Sequence, residues 1–289
     1  MTSSWMLVAG FMFATMGVFV KMGAEFFGAA ELAFYRSLVT LVAAFVALRI
    51  TKGTIRSPFL GMHMIRGLVG AISLIGYFYA ITRLPLATAQ TLNYTSPIFL
   101  AIATTVVLGE RFSPWLVVAI ALGFGGVALL LQPNFEEGKE GAAMVGLMSG
   151  ILAAWAYLSV RTLGKLGEPD WRVLFWFGTI ATATCAAWQL ATAKFHAITL
   201  ANVWILAGIG ICGTLAQLTM TRAYRTGNTL VVGAFSYSTI VFACIFTNAL
   251  WNEKIELLEW AGIAVIVASG IIAMRVEKKE QVEEAGFES

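Results

Sequence analysis

Long apolar runs separated by short polar connections follow one another along the whole 289-residue chain. An α-helix rises 1.5 Å per residue, so roughly 20 residues are needed to cross about 30 Å of hydrocarbon. We predict a membrane-spanning helix in each of ten runs: 4–20, 28–48, 62–82, 87–108, 113–131, 142–162, 171–193, 200–222, 229–250 and 255–274. The first run has no basic segment before it and continues into further spans, so we interpret it as a retained helix.

Composition supports a membrane protein and narrows its chemistry. Hydrophobic residues make up 59% of the chain and charged residues 12%, against about 25% charged residues in soluble domains. The net charge of +3 is small and its basic residues are scattered, which argues against nucleic-acid binding. The three cysteines lie inside apolar runs without metal-ligand spacing, and Asp170 is the single aspartate. We therefore expect no metal, no cofactor and no paired-aspartate protease.

Lysine and arginine placement predicts the orientation in the membrane. With the N-terminus in the cytoplasm, Arg36 and Arg66 fall within spans, and twelve of the remaining basic residues fall on the cytoplasmic side. Only five fall on the opposite side: Lys21, Arg83, Lys139, Lys194 and Lys254. We expect a multi-pass protein of the cell (inner) membrane with both termini in the cytoplasm, including a polar tail over 276–289.

The two halves of the sequence match when one is shifted by 143 residues. Seven identities fall within 44 positions at this single offset: Gly67/Gly210, Gly70/Gly213, Ala80/Ala223, Tyr94/Tyr237, Phe99/Phe242, Thr104/Thr247 and Glu110/Glu253. Each half holds five spans, an odd number, so the halves must insert with opposite orientations. We predict an all-α integral membrane protein of ten transmembrane helices, built as two inverted five-helix repeats over 1–139 and 140–275.

Several short strings occur along the chain: Leu108-Gly109-Glu110, Trp251-Asn252-Glu253, Phe34-Tyr35-Arg36, Ile65-Arg66-Gly67, and Leu84-Pro85-Leu86-Ala87 leading into Tyr94 and Pro97. Together they resemble the strings of the drug/metabolite transporter superfamily, specifically the EamA family. The likeness covers nearly the whole chain and rests on the order of these strings. The arginines in the second and third spans favour the S-adenosylmethionine-transporter-like branch.

The resemblance implies carrier-mediated movement of a small metabolite without nucleotide hydrolysis. The polar residues within the spans favour a zwitterionic or anionic cargo, such as an amino acid or a derivative, moved by alternating access. The expected partners are this small molecule and the lipid bilayer, and a homodimer is allowed for. A channel or scaffold subunit is the alternative, followed by a membrane-embedded transferase, which would need clustered acids or histidines.

Charged residues inside spans are candidate functional groups. Arg36 lies about 12 Å deep at helical rise, where its guanidinium either clamps an anionic group of the substrate or forms a structural bridge to Glu31 or to carbonyls. Arg66 lies closer to the cytoplasmic edge, where it either contacts substrate or anchors to headgroups. Glu31 is the candidate for proton coupling, although a carboxylate in a first helical turn also stabilises the helix.

Polar side chains cluster in the fourth span and its counterpart in the ninth. Gln90, Asn93 or Tyr94, and Pro97 share one face, and the proline frees an upstream carbonyl group. Tyr237 lies in the equivalent polar stretch of the ninth span. These two faces predict the lining of a central cavity, with helix–helix hydrogen bonding as the alternative.

Further candidates are more isolated along the chain. Trp155 and Tyr157 in the sixth span and Gln217 in the eighth are candidate substrate contacts, although aromatic residues also face lipid. Glu110 and Glu253 close equivalent helices, and we predict that both have a structural role.

Overall fold

The computed structural model describes residues 2–84, 86–109, 113–131, 138–251 and 256–287. Every regular element among these residues is an α-helix. Glu110 and Glu253, predicted to be structural, lie outside the described residues. The helices are α1 (Trp5–Gly23), α2 (Ala29–Ile50), α3 (Leu60–Arg83), α4 (Leu86–Asn93), α5 (Ser96–Leu108), α6 (Pro114–Leu131), α7 (Glu140–Lys165), α8 (Asp170–Thr192), α9 (Val203–Thr226), α10 (Thr229–Ser236), α11 (Ser238–Trp251) and α12 (Leu257–Phe287).

The chain is a multi-pass membrane protein. Seven stretches of the described helices are long and apolar enough to cross a bilayer, and two shorter apolar helices lie at 114–129 and 260–273. Large apolar side chains such as Val42, Ile72 and Leu190 are exposed on the outer surface, where hydrocarbon tails would cover them.

Two of the predicted spans are broken helices. The fourth is divided between α4 and α5 at Tyr94 and Thr95, and Pro97 occupies the first turn of α5. The ninth is divided between α10 and α11 at Tyr237, where no proline is present. Each break therefore falls at one member of the matched tyrosine pair.

Helix bounds repeat at the offset found in the sequence. The bounds of α3 and α9, and those of α4 and α10, differ by 143 residues at both ends. The packing is reciprocal as well: α1 packs on α9 as α7 packs on α3, while α2 packs on α8 and α6 on α12. Glycines allow close approach at these crossings, since a methyl group at Gly178 would lie 2.9 Å from the backbone of Leu41.

The bundle has two ends, which we name after their buried glutamates. At the Glu31 end, α1 finishes beside the start of α9, where the ring centroids of Phe19 and Trp204 lie 6.1 Å apart in an edge-to-face arrangement. At the Glu168 end, α9 finishes beside the start of α1, where Thr2 Oγ1 donates to Thr226 O at 2.9 Å. Arg225 Nη1 also donates to Asp170 Oδ1 at 3.0 Å at this end.

Candidate functional site

A cavity lies in the middle of the bundle, between the two halves. It is lined from both halves, by side chains of α1 to α5 in the first and of α7 to α11 in the second. Of the predicted substrate contacts, seven line it: Arg36, Arg66, Gln90, Asn93, Tyr94, Tyr157 and Gln217. The fold thus brings together predicted residues that lie up to 181 positions apart in the sequence.

Arg36 and Arg66 are both buried and both face the ring of Phe177. Their exposed fraction is 2% each. The guanidinium carbon lies 5.4 Å from the ring centroid for Arg36 and 4.3 Å for Arg66. Contact with the face of an aromatic ring stabilises a cation where water is scarce. The headgroup alternative for Arg66 is therefore corrected, because its side chain turns inward onto Phe177.

Arg36 does not bridge to Glu31. Its Nη2 donates to Gln217 Oε1 at 3.1 Å, and makes a longer contact of 3.5 Å with the carbonyl oxygen of Gly213. Gly213 leaves the space that this side chain occupies, because a methyl group there would lie 3.0 Å from Arg36 Cγ. Gly70, its partner at the 143-residue offset, similarly leaves space for the guanidinium of Arg66.

The break between α4 and α5 supplies the polar wall of the cavity. Asn93 Nδ2 donates to Ser149 Oγ at 3.0 Å, and Ser73 Oγ donates to the carbonyl oxygen of Ser149 at 2.8 Å. These bonds join α3, α4 and α7. Gln90, Tyr94 and Ser96 complete this wall. Polar lining and helix–helix hydrogen bonding, which we treated as alternatives, coexist at Asn93.

Tyr157 lines the cavity from α7. Its ring stacks on that of Tyr224, with centroids 5.1 Å apart and an angle of 16° between the planes. Trp155 does not line the cavity, and its side chain is 46% exposed. Two residues along a helix correspond to about 200° of rotation, so Trp155 and Tyr157 point to different sides of α7.

Tyr237 lies in the core and not in the cavity wall. It is fully buried and packs with α6 and α12, where a methyl group at Gly123 would lie 2.5 Å from its ring. Its prediction as a cavity residue is therefore corrected, because Gly123 opens a space in α6 that takes the ring. Pro97 also lies behind the wall, where it packs near Gly233.

Glu31 lies at the edge of the bundle, outside the cavity. Its carboxylate accepts a hydrogen bond from the backbone N–H of His196 at 2.8 Å, and its other oxygen lies 2.7 Å from His196 Nδ1. A second buried carboxylate lies at the opposite end, in the loop between α7 and α8. Glu168 accepts from Ser57 at 2.6 Å and from Arg172 at 3.0 Å, and His63 Nε2 lies 3.4 Å away.

Several cavity residues were not predicted from the sequence. Phe177, which contacts both arginines, is one of 20 phenylalanines and carries no distinguishing signal. Tyr77 of α3 lines the cavity next to Gln90, with which its hydroxyl forms a side-chain hydrogen bond. Thr239, by contrast, belongs to the polar stretch of the ninth span that the sequence predicted as cavity lining, and it does line the cavity.

Comparison with known proteins finds relatives along almost the full chain. The profile described as the EamA-like transporter family matches residues 1–132 and 141–275. A pseudopaline exporter of Pseudomonas aeruginosa is 30% identical over 276 residues, which cover 94% of this chain and 95% of the exporter. A riboflavin transporter of Rhizobium johnstonii is 24% identical and covers 96% of this chain and 92% of its own. The human solute carrier family 35 member G1 is 24% identical, and the match covers 92% of this chain and 76% of that protein.

A solved crystal structure shares the fold. It superposes with a TM-score of 0.82 at 17% identity, and the match covers 96% of this chain and 100% of the other. At this identity the likeness concerns the fold alone.

Proposed function

The chain belongs to the EamA-like transporter family, and we propose that it is a secondary transporter of a small polar metabolite that works by alternating access. Family membership makes it a membrane transporter and not an enzyme. The proposed cargo is zwitterionic or anionic, such as an amino acid or a derivative of one. The relatives are named for different cargoes, pseudopaline and riboflavin, so membership alone does not select a substrate. The S-adenosylmethionine-transporter-like branch stays a prediction.

The observation that carries this proposal is the central cavity with two buried arginines. A cation removed from water costs several kcal/mol unless it is paired. Arg36 and Arg66 nevertheless face a space lined from both halves of the bundle. A polar cargo with an acidic group would offset this cost, and the amides and hydroxyls along α4 would hold its remaining polar atoms.

Alternating access is supported by the difference between the two ends. The lining extends from Met6 on α1, near the Glu168 end, to Val20 on α1 and Ile81 on α3, toward the Glu31 end. Toward the Glu168 end, the rings of Tyr157 and Tyr224 stack on each other and Arg225 pairs with Asp170. We interpret this arrangement as one state of the transport cycle, closed at the Glu168 end.

The inverted repeat forms the finer part of the proposal. Matching helix bounds and reciprocal packing of the halves support it, with α4–α5 and α10–α11 each counted as one span, giving ten spans. Five spans per half place the halves in opposite orientations. Because basic residues are in excess at the Glu168 end, we further propose that this end and both termini face the cytoplasm and that the membrane is the cell (inner) membrane.

A comparison of metabolites tests the function. Cells that overproduce the protein are compared with cells carrying an empty vector, in both cytoplasm and medium, and each metabolite that differs is then offered to vesicles containing the purified protein. We expect at least one small polar metabolite to change in cells and to enter vesicles. The R36A variant, made at equal amount, should abolish both effects. Absence of any carrier activity in cells and vesicles would refute the proposal.

A further inference from the structure

Only one nitrogen of the Arg36 guanidinium, Nη2, forms hydrogen bonds with the described residues. Nη2 makes the contacts with Gln217 Oε1 and Gly213 O, whereas Nε and Nη1 are buried and have no hydrogen-bond partner among the described residues. A buried donor left without an acceptor costs about 1–3 kcal/mol, and more when it is charged. Two donors of one arginine are therefore available to a group that enters the cavity.

The orientation of Gln217 follows from this contact. A guanidinium only donates hydrogen bonds, so the side-chain oxygen of Gln217 must face Arg36 and its amide nitrogen must point away. That nitrogen, Nε2, is also buried and has no partner among the residues that the structure describes. The unpartnered polar atoms of Arg36 and Gln217 are thus all donors, a combination that suits the oxygens of a carboxylate or a phosphate.

Arg66 adds a second cation with the same property. Its Nε is buried without a partner in the described part of the chain, while its guanidinium lies over the Phe177 ring that Arg36 also faces. None of the described residues lining the cavity is an aspartate or a glutamate. Glu31, the carboxylate nearest to Arg36 in the sequence, pairs with His196 instead. The cavity therefore carries two positive charges that its own lining does not balance.

We propose that the cargo carries two acidic groups, one received by the donor pair Arg36–Gln217 and the other by Arg66, and that Gln217 makes the first position selective for an anion. This inference rests on the transport function proposed above and narrows its substrate class. A single acidic group would leave one buried cation uncompensated. A glutamine at position 217 holds Arg36 in place and leaves its positive charge unpaired. A glutamate there would neutralise that charge.

The Q217E variant tests the selective role. A carboxylate at this position would pair with Arg36 and occupy the site meant for the cargo. Gln189 offers a matched control, because it is also buried in a helix but bonds the carbonyl oxygen of Lys194 outside the cavity. We expect Q217E to lower transport of the wild-type cargo at least tenfold, and Q189E to transport it within about twofold of the wild type when the amounts of folded protein are matched.

The wild-type protein tests the substrate class without any variant. Every metabolite that changes on overproduction and enters vesicles should carry at least two acidic groups, and its structure will show whether these are carboxylates or phosphates. A transported cargo with one acidic group or none would overturn the inference while leaving the transport function intact. So would transport by folded Q217E at the wild-type rate. If Q217E fails to accumulate, R66Q replaces it, and an unchanged rate in R66Q would equally overturn the inference.

Discussion

His196 holds the buried carboxylate of Glu31 through two contacts, one from its backbone N–H at 2.8 Å and one from ring Nδ1 at 2.7 Å. The side chain of Glu31 is fully buried, whereas that of His196 is 58% exposed. The pair joins the first turn of α2 to the loop that follows α8, and so ties the two halves together at the Glu31 end. The carboxylate also lies at the positive end of the α2 dipole.

Both partners of this pair should contribute to stability. Because E31Q removes the charge and H196A removes its partner, we expect each variant to lower the free energy of unfolding by about 1–2 kcal/mol. Melting of the purified protein in detergent measures this. Proton coupling by Glu31 stays a prediction, and transport driven by a pH gradient decides it. Loss of gradient-driven accumulation in E31Q, but not in H196A, would support coupling.

The geometry of Arg36 should matter beyond its charge. R36K keeps a cation but loses the planar fork that binds two oxygens at once. We expect kcat/KM for uptake into vesicles to fall at least about tenfold, with little change in melting temperature. R49K is the matched control, since Arg49 lies in the last turn of the same helix with its guanidinium carbon 4.9 Å from the ring centroid of Phe45. Wild-type kinetics in R36K would contradict a bidentate clamp.

Asn93 and Tyr237 should respond to substitution in opposite ways. N93L removes a polar group from the cavity wall and should reduce transport more than stability. Y237L leaves empty space beside Gly123 and should lower the free energy of unfolding by about 2 kcal/mol, with transport following the surviving protein. Y237F should be harmless, because the Tyr237 hydroxyl is buried without a partner among the described residues. Comparing melting with uptake per folded molecule separates the two effects.

Two glycines provide a matched test of orientation. Gly138 and Gly167 both have φ of +82°, so a cysteine at either position meets the same backbone strain. In a chain whose three native cysteines are replaced, we expect G138C to react with an impermeant reagent in intact cells and G167C to react only after the cells are opened. The reverse pattern would overturn the proposed orientation.

Glu168 should make stability depend on pH. Burial raises the pKa of its carboxyl, but the hydrogen bonds from Ser57 and Arg172 and the charges of Arg172 and His63 outweigh burial and hold the pKa below its ordinary value of 4.5. A depressed pKa contributes stability that is present above pH 4.5 and is lost as pH falls through the folded value. Near neutral pH, E168Q should therefore have a free energy of unfolding about 2 kcal/mol below that of the wild type, and a lower melting temperature. The difference should vanish in acid, and a constant difference would contradict this assignment.

The helices could be predicted because a bilayer imposes their length. The predicted span 28–48 corresponds to α2 at Ala29–Ile50, for example. The helix break at Tyr94 also has a local signal, since Pro97 follows it. The break at Tyr237 has no proline, but the 143-residue offset maps it onto Tyr94. Joining the two observations would have predicted both breaks.

The site was predicted only where a polar residue in an apolar helix had to face inward. That reasoning identified Arg36, Asn93 and Gln217 as residues that face the cavity. It also predicted that Tyr237 would face the cavity as Tyr94 does, which is not the case. The two tyrosines differ because of a third residue: Gly123 makes space for the ring of Tyr237, whereas the position equivalent to Gly123 holds Ile266. An isoleucine leaves no such space, so Tyr94 remains at the cavity. Phe177 shows the other limit, because only the folded structure brings its ring into contact with two arginines.

The first helix of each half crosses the broken helix of the other half at a glycine. A methyl group at Gly10 on α1 would lie 2.7 Å from Ser238 Oγ, and one at Gly150 on α7 would lie 2.7 Å from the carbonyl oxygen of Leu92. At Gly150 the neighbouring atom belongs to the backbone of α4, whereas at Gly10 the hydroxyl groups of Ser238 and Thr239 approach the α1 backbone. Both crossings lie between the two ends of the bundle. A tilt of α1 about Gly10 would carry Met6 and Val20, which lie on either side of it along the helix, in opposite directions. Narrowing at one mouth of the cavity and widening at the other would then be a single motion.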